Sequence, residues 1–283
     1  MTAKTVSLLT HNDPRLTSDA VALLAAMATE RGISVVADTD EHTRHRLDPA
    51  GLIAFEEGSD PDLRICLGGD GTVLRGLRRS AGTRVPVFGV NFGEVGFLAA
   101  CDPVDGGAKE AFTLALDGAF DELELPALKL QLEGVPAAFN DVCVQRRPGL
   151  RIADVAYSIG GEEIGRVRCD GVVVATPAGS TGYNLANGGP VVAWGVEGFA
   201  VSFIAPHSLT ARSLVVAPDD RVRLSNRSSG EPVDLLVDGR PAGELGPGAD
   251  VEVSFVGCEA VLAQLPGSSF YQRLREKFGR LAT

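Results

Sequence analysis

The sequence has 283 residues, 45% hydrophobic and 22% charged, the balance of an ordinary globular protein large enough for two cores. Its formal net charge is -11, from 37 acidic and 26 basic residues, which argues against a general nucleic-acid binder because such proteins need a basic footprint. No apolar run reaches membrane-spanning length and no signal-like stretch opens the chain, so the reading is cytoplasmic, with no membrane partner.

Residues 5–9 read as a short buried strand, and residues 15–31 carry Val21, Leu24, Ala25 and Met27 at helical spacing before Gly32. Strands follow at 33–37, 63–67 and 85–90, with a helix from about Thr72. Strands alternating with helices imply a Rossmann-like, three-layer α/β domain with a parallel sheet over residues 1–100. From residue 101 the pattern changes to period two, at 123–132, and to a hairpin at 155–167 around Gly160-Gly161. Further short strands at 232–237, 250–255 and 260–264 make residues 101–266 a mainly antiparallel β domain. Ser268-Ser269 can cap a final helix over 268–280, whose Phe270, Leu274 and Phe278 need a partner, for which the first domain serves.

The five cysteines, at 66, 101, 143, 169 and 258, form no CxxC pair, so zinc and a disulfide framework are disfavoured and most read as small buried residues. His42 and His45 lie in a charged stretch and read as a solvated face. No Ser-His-Asp set is evident.

Three motifs carry chemistry. In Gly68-Gly69-Asp70-Gly71-Thr72 a strand runs through glycines into a helix, where open N–H groups and the helix dipole attract phosphate. Thr72 could cap that helix or bind a phosphate oxygen, and Asp70 could simply accept N–H bonds within a tight turn. The motif lacks the Gly-Lys-Ser/Thr of a Walker A loop, and no strand in the chain runs into G-x-G-x-x-G. The second motif runs from Asp170-Gly171 through Thr176-Pro177-Ala178-Gly179-Ser180-Thr181-Gly182-Tyr183 to Gly189-Pro190. Its small residues permit close backbone approach, its hydroxyls can meet ribose or amide groups, and Tyr183 can stack on a planar ring. The third, Asn140-Asp141, is a common turn former whose carboxylate could also accept both hydroxyls of a ribose.

Together these motifs resemble the NAD kinase family. Gly89-Val90-Asn91 through Gly96-Phe97-Leu98, Pro206-His207-Ser208-Leu209 and Val237-Asp238-Gly239 also fit, so the likeness spans nearly the whole chain in order. The Thr-Pro-x-Gly-Ser-Thr-x-Tyr element is specific, whereas Gly-Gly-Asp-Gly-Thr is shared with lipid kinases and phosphofructokinases. The resemblance implies transfer of phosphate from ATP, or from polyphosphate, to the adenosine-ribose 2′-hydroxyl of NAD, with a divalent metal, usually Mg²⁺. It implies Asp70 as catalytic carboxylate and Gly69, Gly71, Thr72 and Asn91 in the nucleotide site. Phe97, Asn140, Asp141, Arg168, Asp170, Thr181, Gly182 and Tyr183 would contact NAD. It also implies a homodimer or homotetramer in which the NAD site borders a neighbouring subunit. Three elements depart from the family pattern: Asp141 replaces glutamate, Gly182 replaces alanine, and Ala186-Asn187 replaces Ser-Ala, any of which could alter affinity or the NAD/NADH preference. Two other readings are a lipid or sugar kinase of the same superfamily, disfavoured by the polar Thr-Pro loop, and a non-catalytic nucleotide-binding regulator, disfavoured by the retained Asp70.

Overall fold

A computed structural model describes residues 3–46, 53–55, 61–93, 96–101 and 107–279. The chain forms two compact units, residues 1–124 with 260–283, and residues 125–259.

In the first unit, parallel strands run in the order β3 (Ile53–Phe55), β2 (Ser34–Ala37), β1 (Thr5–Thr10), β4 (Leu63–Leu67) and β5 (Pro86–Val90). The last residues of β16 (Asp250–Gln264) add in parallel beyond β5. Strand β4 is buried at all five positions, which is why its sequence LRICL reads as an almost unbroken apolar run. Leu63, Ile65 and Leu67 share a core with Leu24 and Ala28 of α1 (Ser18–Glu30) and with Phe112 and Leu116 of α4 (Gly107–Leu116). On the opposite face, α3 (Asp70–Arg79) comes so close to the sheet that a Cβ on Gly76 would lie 2.5 Å from Cys66 Sγ. Helices on both faces make the expected three layers. The strand order reverses between β1 and β4, and the carboxyl ends of strands at such a switch point are where open α/β sheets bind ligands. Gly68–Asp70 leaves β4 at that end.

The second unit is a β sandwich. One sheet runs β12 (Leu214–Val216), β11 (Phe199–Ile204), β10 (Gly171–Ala175), β7 (Asp141–Arg146), β14 (Val233–Val237), β15 (Arg240–Leu245), all antiparallel. Its inner face, Val142, Val144, Val172, Val174, Val201 and Leu235, packs on Val155, Val222, Leu224 and Val253. Those four come from β8 (Ala153–Ile159), β13 (Arg221–Asn226) and the first residues of β16, with β9 (Glu162–Cys169) pairing beyond β8.

The units divide at 124/125, later than the break read at residue 100, because α4 buries Phe112 and Ala115 in the first unit's core, and at 259/260, earlier than the end read at residue 266. Strand β6 (Asp121–Leu130) and strand β16 each run from one unit into the other. The final helix, α6 (Phe270–Phe278), belongs to the first unit and is capped by Ser269, whose Oγ accepts the Gln272 N–H at 3.1 Å. Both histidines lie on α2 (Thr39–His45), and the solvated-face reading is corrected for His45, whose ring is buried 3.5 Å from the buried Glu41 carboxylate, while His42 stays partly exposed. Cys66, Cys143 and Cys169 are buried as read, while Cys258 is exposed.

Candidate active site

The candidate residues fall into one set in each unit. In the first, Gly69 caps α3 and Asp70 is its first residue, two positions earlier than the expected start. The Thr72 N–H already bonds the Gly69 carbonyl at 2.9 Å, so Thr72 is not the cap, and its side chain is buried beneath Gly68. Helices leave their first N–H groups without intrahelical acceptors, so this end of α3 offers donors and a positive dipole at the sheet's switch point.

Asp70 is fixed from the other side by residues 97 and 98. Its Oδ2 accepts the Phe97 N–H at 2.7 Å and its Oδ1 the Leu98 N–H at 2.9 Å. Gly96 makes this possible: a Cβ there would lie 1.9 Å from Asp70 Oδ1. Asn91, buried at the end of β5, folds its own loop by accepting the Gly93 N–H on Oδ1 at 3.1 Å. Phe97 thus enters the site through its backbone; its ring is buried against Phe270 and Phe278 of α6.

In the second unit, Asn140-Asp141 is built by a turn that the sequence marks only as Val-Asp-Gly. Asp238 and Gly239 both have positive φ (46° and 71°), the geometry of a two-residue hairpin turn between β14 and β15. The turn aims the Asp238 carboxylate at three successive N–H groups, of Phe139 (3.3 Å), Asn140 (2.7 Å) and Asp141 (3.2 Å). The Asn140 carbonyl accepts from Thr176, and a Cβ on Gly179 would lie 1.9 Å from that carbonyl oxygen. The Thr176–Gly179 turn therefore packs directly on Asn140, with the Thr176 hydroxyl donating to the Phe139 carbonyl at 2.6 Å.

Asp141 is buried, and among the described residues no donor reaches its carboxylate. Burial first, and the nearby Asp238 charge second, push its pKa up to about 7. Tyr183 opens the short helix α5 (Tyr183–Ala186) and is half-exposed. Its hydroxyl pKa is raised by burial first, then by Cys143, Asp141 and Asp170, so the phenol shares a neighbourhood with both carboxylates. Asp170 is held by Arg146, at 2.5 Å from Nε. Asn140, Asp141, Asp170 and Tyr183 thus belong together.

The hydroxyls divide differently from expectation. Ser180 is fully buried, donates to the Pro177 carbonyl at 2.7 Å with the Val192 carbonyl 3.2 Å away, and accepts the Val192 N–H, so it closes its own loop. Thr181 bonds the Ala178 carbonyl at 3.2 Å and, with Gly182, stays part-exposed on the same loop. Arg168 stands apart on the exposed face of β9, its carbonyl accepting from His207, with no hydrogen bond or ion pair among the described residues joining it to Asp141 or Asp170. Several arginines are paired with carboxylates: Arg75 with Glu41, Arg79 with Asp38, Arg147 with Asp234 and Glu244. Sequence reasoning missed Gly96 and Asp238 as parts of the site; the Asp-Gly dipeptide was the available signal for the second.

Among the described residues, no three His, Cys, Asp or Glu side chains gather as a metal-ligand set, and no helix is long and apolar enough to cross a membrane.

Comparison with known proteins shows the family. Residues 23–118 match the model of the ATP-NAD kinase N-terminal domain, and residues 139–264 that of the ATP-NAD kinase C-terminal domain. An NAD kinase of Symbiobacterium thermophilum is 40% identical over 233 residues, covering 80% of this chain and 82% of the relative. An NAD kinase of Rhodopirellula baltica is 37% identical over 224 residues, covering 77% of this chain and 71% of the relative. The fold matches that of yeast NADH kinase complexed with NADH at a TM-score of 0.88 and 23% identity, over 100% of this chain and 89% of the other. Two domain models in the right order, and relatives matched over most of their length, establish that the chain belongs to the NAD kinase family.

Proposed function

We propose that Asp70 is the base of an ATP-dependent phosphorylation of NAD at the adenosine-ribose 2′-hydroxyl. The observation that carries this reading is the double N–H grip of residues 97 and 98 on Asp70, at the start of α3. Phosphoryl transfer needs little covalent chemistry from the protein and much positioning. The Asp70 carboxylate takes the proton of the attacking ribose hydroxyl while a new O–Pγ bond forms and the Pβ–O–Pγ bridge breaks, releasing ADP. Gly69, Gly71 and Asn91 shape the anion-binding end of α3, with Thr72 packed beneath it.

Asn140, Asp141, Asp170, Thr181, Gly182 and Tyr183 receive NAD. The open Asp141 carboxylate suits a ribose diol, and the half-exposed Tyr183 ring offers a stacking face. Arg168 and Phe97 are the remaining NAD contacts in this reading. A Mg²⁺ ion would enter on the donor phosphates and would offset their charge beside Asp70. Polyphosphate would present the same phosphates without the adenine. A second copy of the chain is the partner we assign to the exposed loop and edge at Leu209, 94% exposed, and Val215, 56% exposed. The compartment we assign is the cytoplasm.

The test is purified protein with NAD, Mg²⁺ and either ATP or polyphosphate, read by an NADP-specific dehydrogenase. The expected result is NADP from the wild type, and in Asp70→Asn a kcat reduced about 1000-fold with NAD still bound by calorimetry. Near-normal turnover in that variant removes Asp70 from the chemistry. Phosphorylation of diacylglycerol without NADP, or NAD binding without product under any donor, overturns the reading.

A further inference from the structure

The residues that hold Asp70 are themselves held from behind by α6. The Arg273 guanidinium, one turn into that helix, donates from Nη1 to the Phe97 carbonyl at 2.9 Å and to the Ala99 carbonyl, and from Nη2 to Gln264 Oε1. We infer that Arg273 is a positioning residue for Asp70, acting through the peptide group between Phe97 and Leu98. The inference rests on the reading of Asp70 as base.

The argument follows from the connectivity of that one peptide. Its carbonyl oxygen, on Phe97, accepts from Arg273; its N–H, on Leu98, donates to Asp70 Oδ1 at 2.9 Å. In a trans peptide the C=O and N–H point in opposite directions, so a cation and an anion occupy the two ends of one dipole. Each polarises the group in the same sense and strengthens the other's bond. The second carbonyl is anchored in the same way: the peptide whose oxygen lies on Ala99 gives its N–H, on Ala100, to the Gly89 carbonyl of β5 at 2.7 Å. Arg273 thus fixes one peptide against the catalytic carboxylate and another against the sheet. Neither can rotate without breaking a charge-assisted bond.

Arginine suits this task because its planar fork meets several acceptors at fixed angles, which a lysine ammonium does not. The helix bearing it is seated independently of the clamp. The Phe97 ring lies between Phe270 (6.5 Å) and Phe278 (5.9 Å), and Lys277 Nζ stands 4.3 Å from its centroid. A helix docked by those rings alone would still cover Phe97, but the 97–98 peptide would lose its rear support. A displacement of about 1 Å at a reacting group can cost on the order of 100-fold in rate.

The experiment compares Arg273→Met, Arg273→Lys and Phe278→Ala in the full chain, by steady-state kinetics with NAD, ATP and Mg²⁺ and by thermal unfolding. Arg273→Met is expected to lose about 30- to 100-fold in kcat, with KM for NAD and ATP within about threefold of wild type. Millimolar guanidinium should restore part of that kcat and do nothing for Asp70→Asn. Arg273→Lys should recover part of the loss. Phe278→Ala loosens the same helix at the Phe97 ring while leaving the Arg273 hydrogen bonds in place, and should lower Tm at least as far while keeping kcat within about threefold. The inference is overturned if Arg273→Met keeps wild-type kcat, or if kcat falls in step with Tm across all three variants. Should Arg273→Met fail to fold, Arg273→Lys decides: reduced kcat at unchanged KM supports the clamp, and wild-type kcat refutes it. Wild-type protein that makes no NADP, or an active Asp70→Asn, would instead count against the reading of the site.

Discussion

Asp141 and Asp238 bind each other at the backbone while their charges oppose. The Asp238 N–H donates to the Asp141 carbonyl at 2.8 Å, and the Asp238 carboxylate accepts the Asp141 N–H at 3.2 Å. The turn that shapes the candidate NAD site therefore also brings a second carboxylate to a buried one, and burial together with that charge moves the Asp141 pKa from 3.8 to about 7.

The pH dependence has a definite sign. The folded protein keeps the Asp141 proton up to pH values at which the unfolded chain has lost it. Stability from this group is fully present below about pH 3.8 and is lost as pH rises through 7. The shift corresponds to at most about 4 kcal/mol, from roughly three pK units at 1.36 kcal/mol each. Asp141→Asn removes this slope, so its Tm should exceed that of the wild type at pH 8 and approach it toward pH 5. Substrate affinity should run the other way: KM for NAD rises in the wild type below pH 7, as the acceptor carboxylate protonates, and stays flat in the variant. Parallel Tm curves for the two proteins would contradict this account.

Gly96 tests the Asp70 cradle from the opposite side to Asp70→Asn. A methyl group there would lie 1.9 Å from Asp70 Oδ1, so the carboxylate must leave its two N–H donors. Gly96→Ala should cost about 100-fold or more in kcat. Donation to a charged group is worth about 1.5–3 kcal/mol per bond, so Tm should fall as well. Full activity in Gly96→Ala would mean that the grip is dispensable.

Much of this was legible in the sequence, for a reason that differs between elements. β4 and β10 are buried on both faces, so their apolar runs stand out. α6 announced itself through a serine cap and aromatic spacing. Helix α2 did not, because its inward face is polar: Glu41 and His45 are buried, and apolar periodicity had nothing to detect. Likewise, the Ser180 hydroxyl reads as a ligand group until its partner Val192, twelve residues on, is known. Asp238 lies 98 residues from Asn140 in sequence, a relation that local pattern does not encode. The strands read at 250–255 and 260–264 are one strand, β16, which continues through Cys258 at a φ of 40°.

Gly179 and Gly182 separate packing from ligand contact on one loop. A Cβ at 179 would lie 1.9 Å from the Asn140 carbonyl oxygen, against backbone that cannot yield without moving Asp141. At 182 the nearest atom is the Gly179 carbonyl oxygen, at 3.3 Å. Gly179→Ala should lower stability by about 1–3 kcal/mol, as overpacking does, and raise KM for NAD about tenfold or more. Gly182→Ala should stay within about threefold on both KM and kcat, about 0.7 kcal/mol. Urea titration and NAD-dependent kinetics on the two variants decide; equal effects would remove the distinction.

Glu41 is the buried charge on which the start of α3 depends. Its carboxylate accepts the Thr10 N–H at 3.2 Å, the Thr10 hydroxyl at 2.8 Å and Arg75 Nη2 at 2.6 Å. Thr10 ends β1 and Arg75 lies five residues after Asp70, so this carboxylate ties α3 to the strand end at the switch point. Removing one partner of such a pair leaves the other charge uncompensated, which costs about 3–5 kcal/mol. Glu41→Ala should lose that much in urea unfolding, with an unchanged m-value, whereas Glu41→Gln keeps an acceptor for Thr10 and should lose less. Because Arg75 and Asp70 share one rigid helix, the folded fraction of Glu41→Ala should also show reduced kcat. A stable Glu41→Ala with wild-type kcat would show that α3 is held by apolar packing alone.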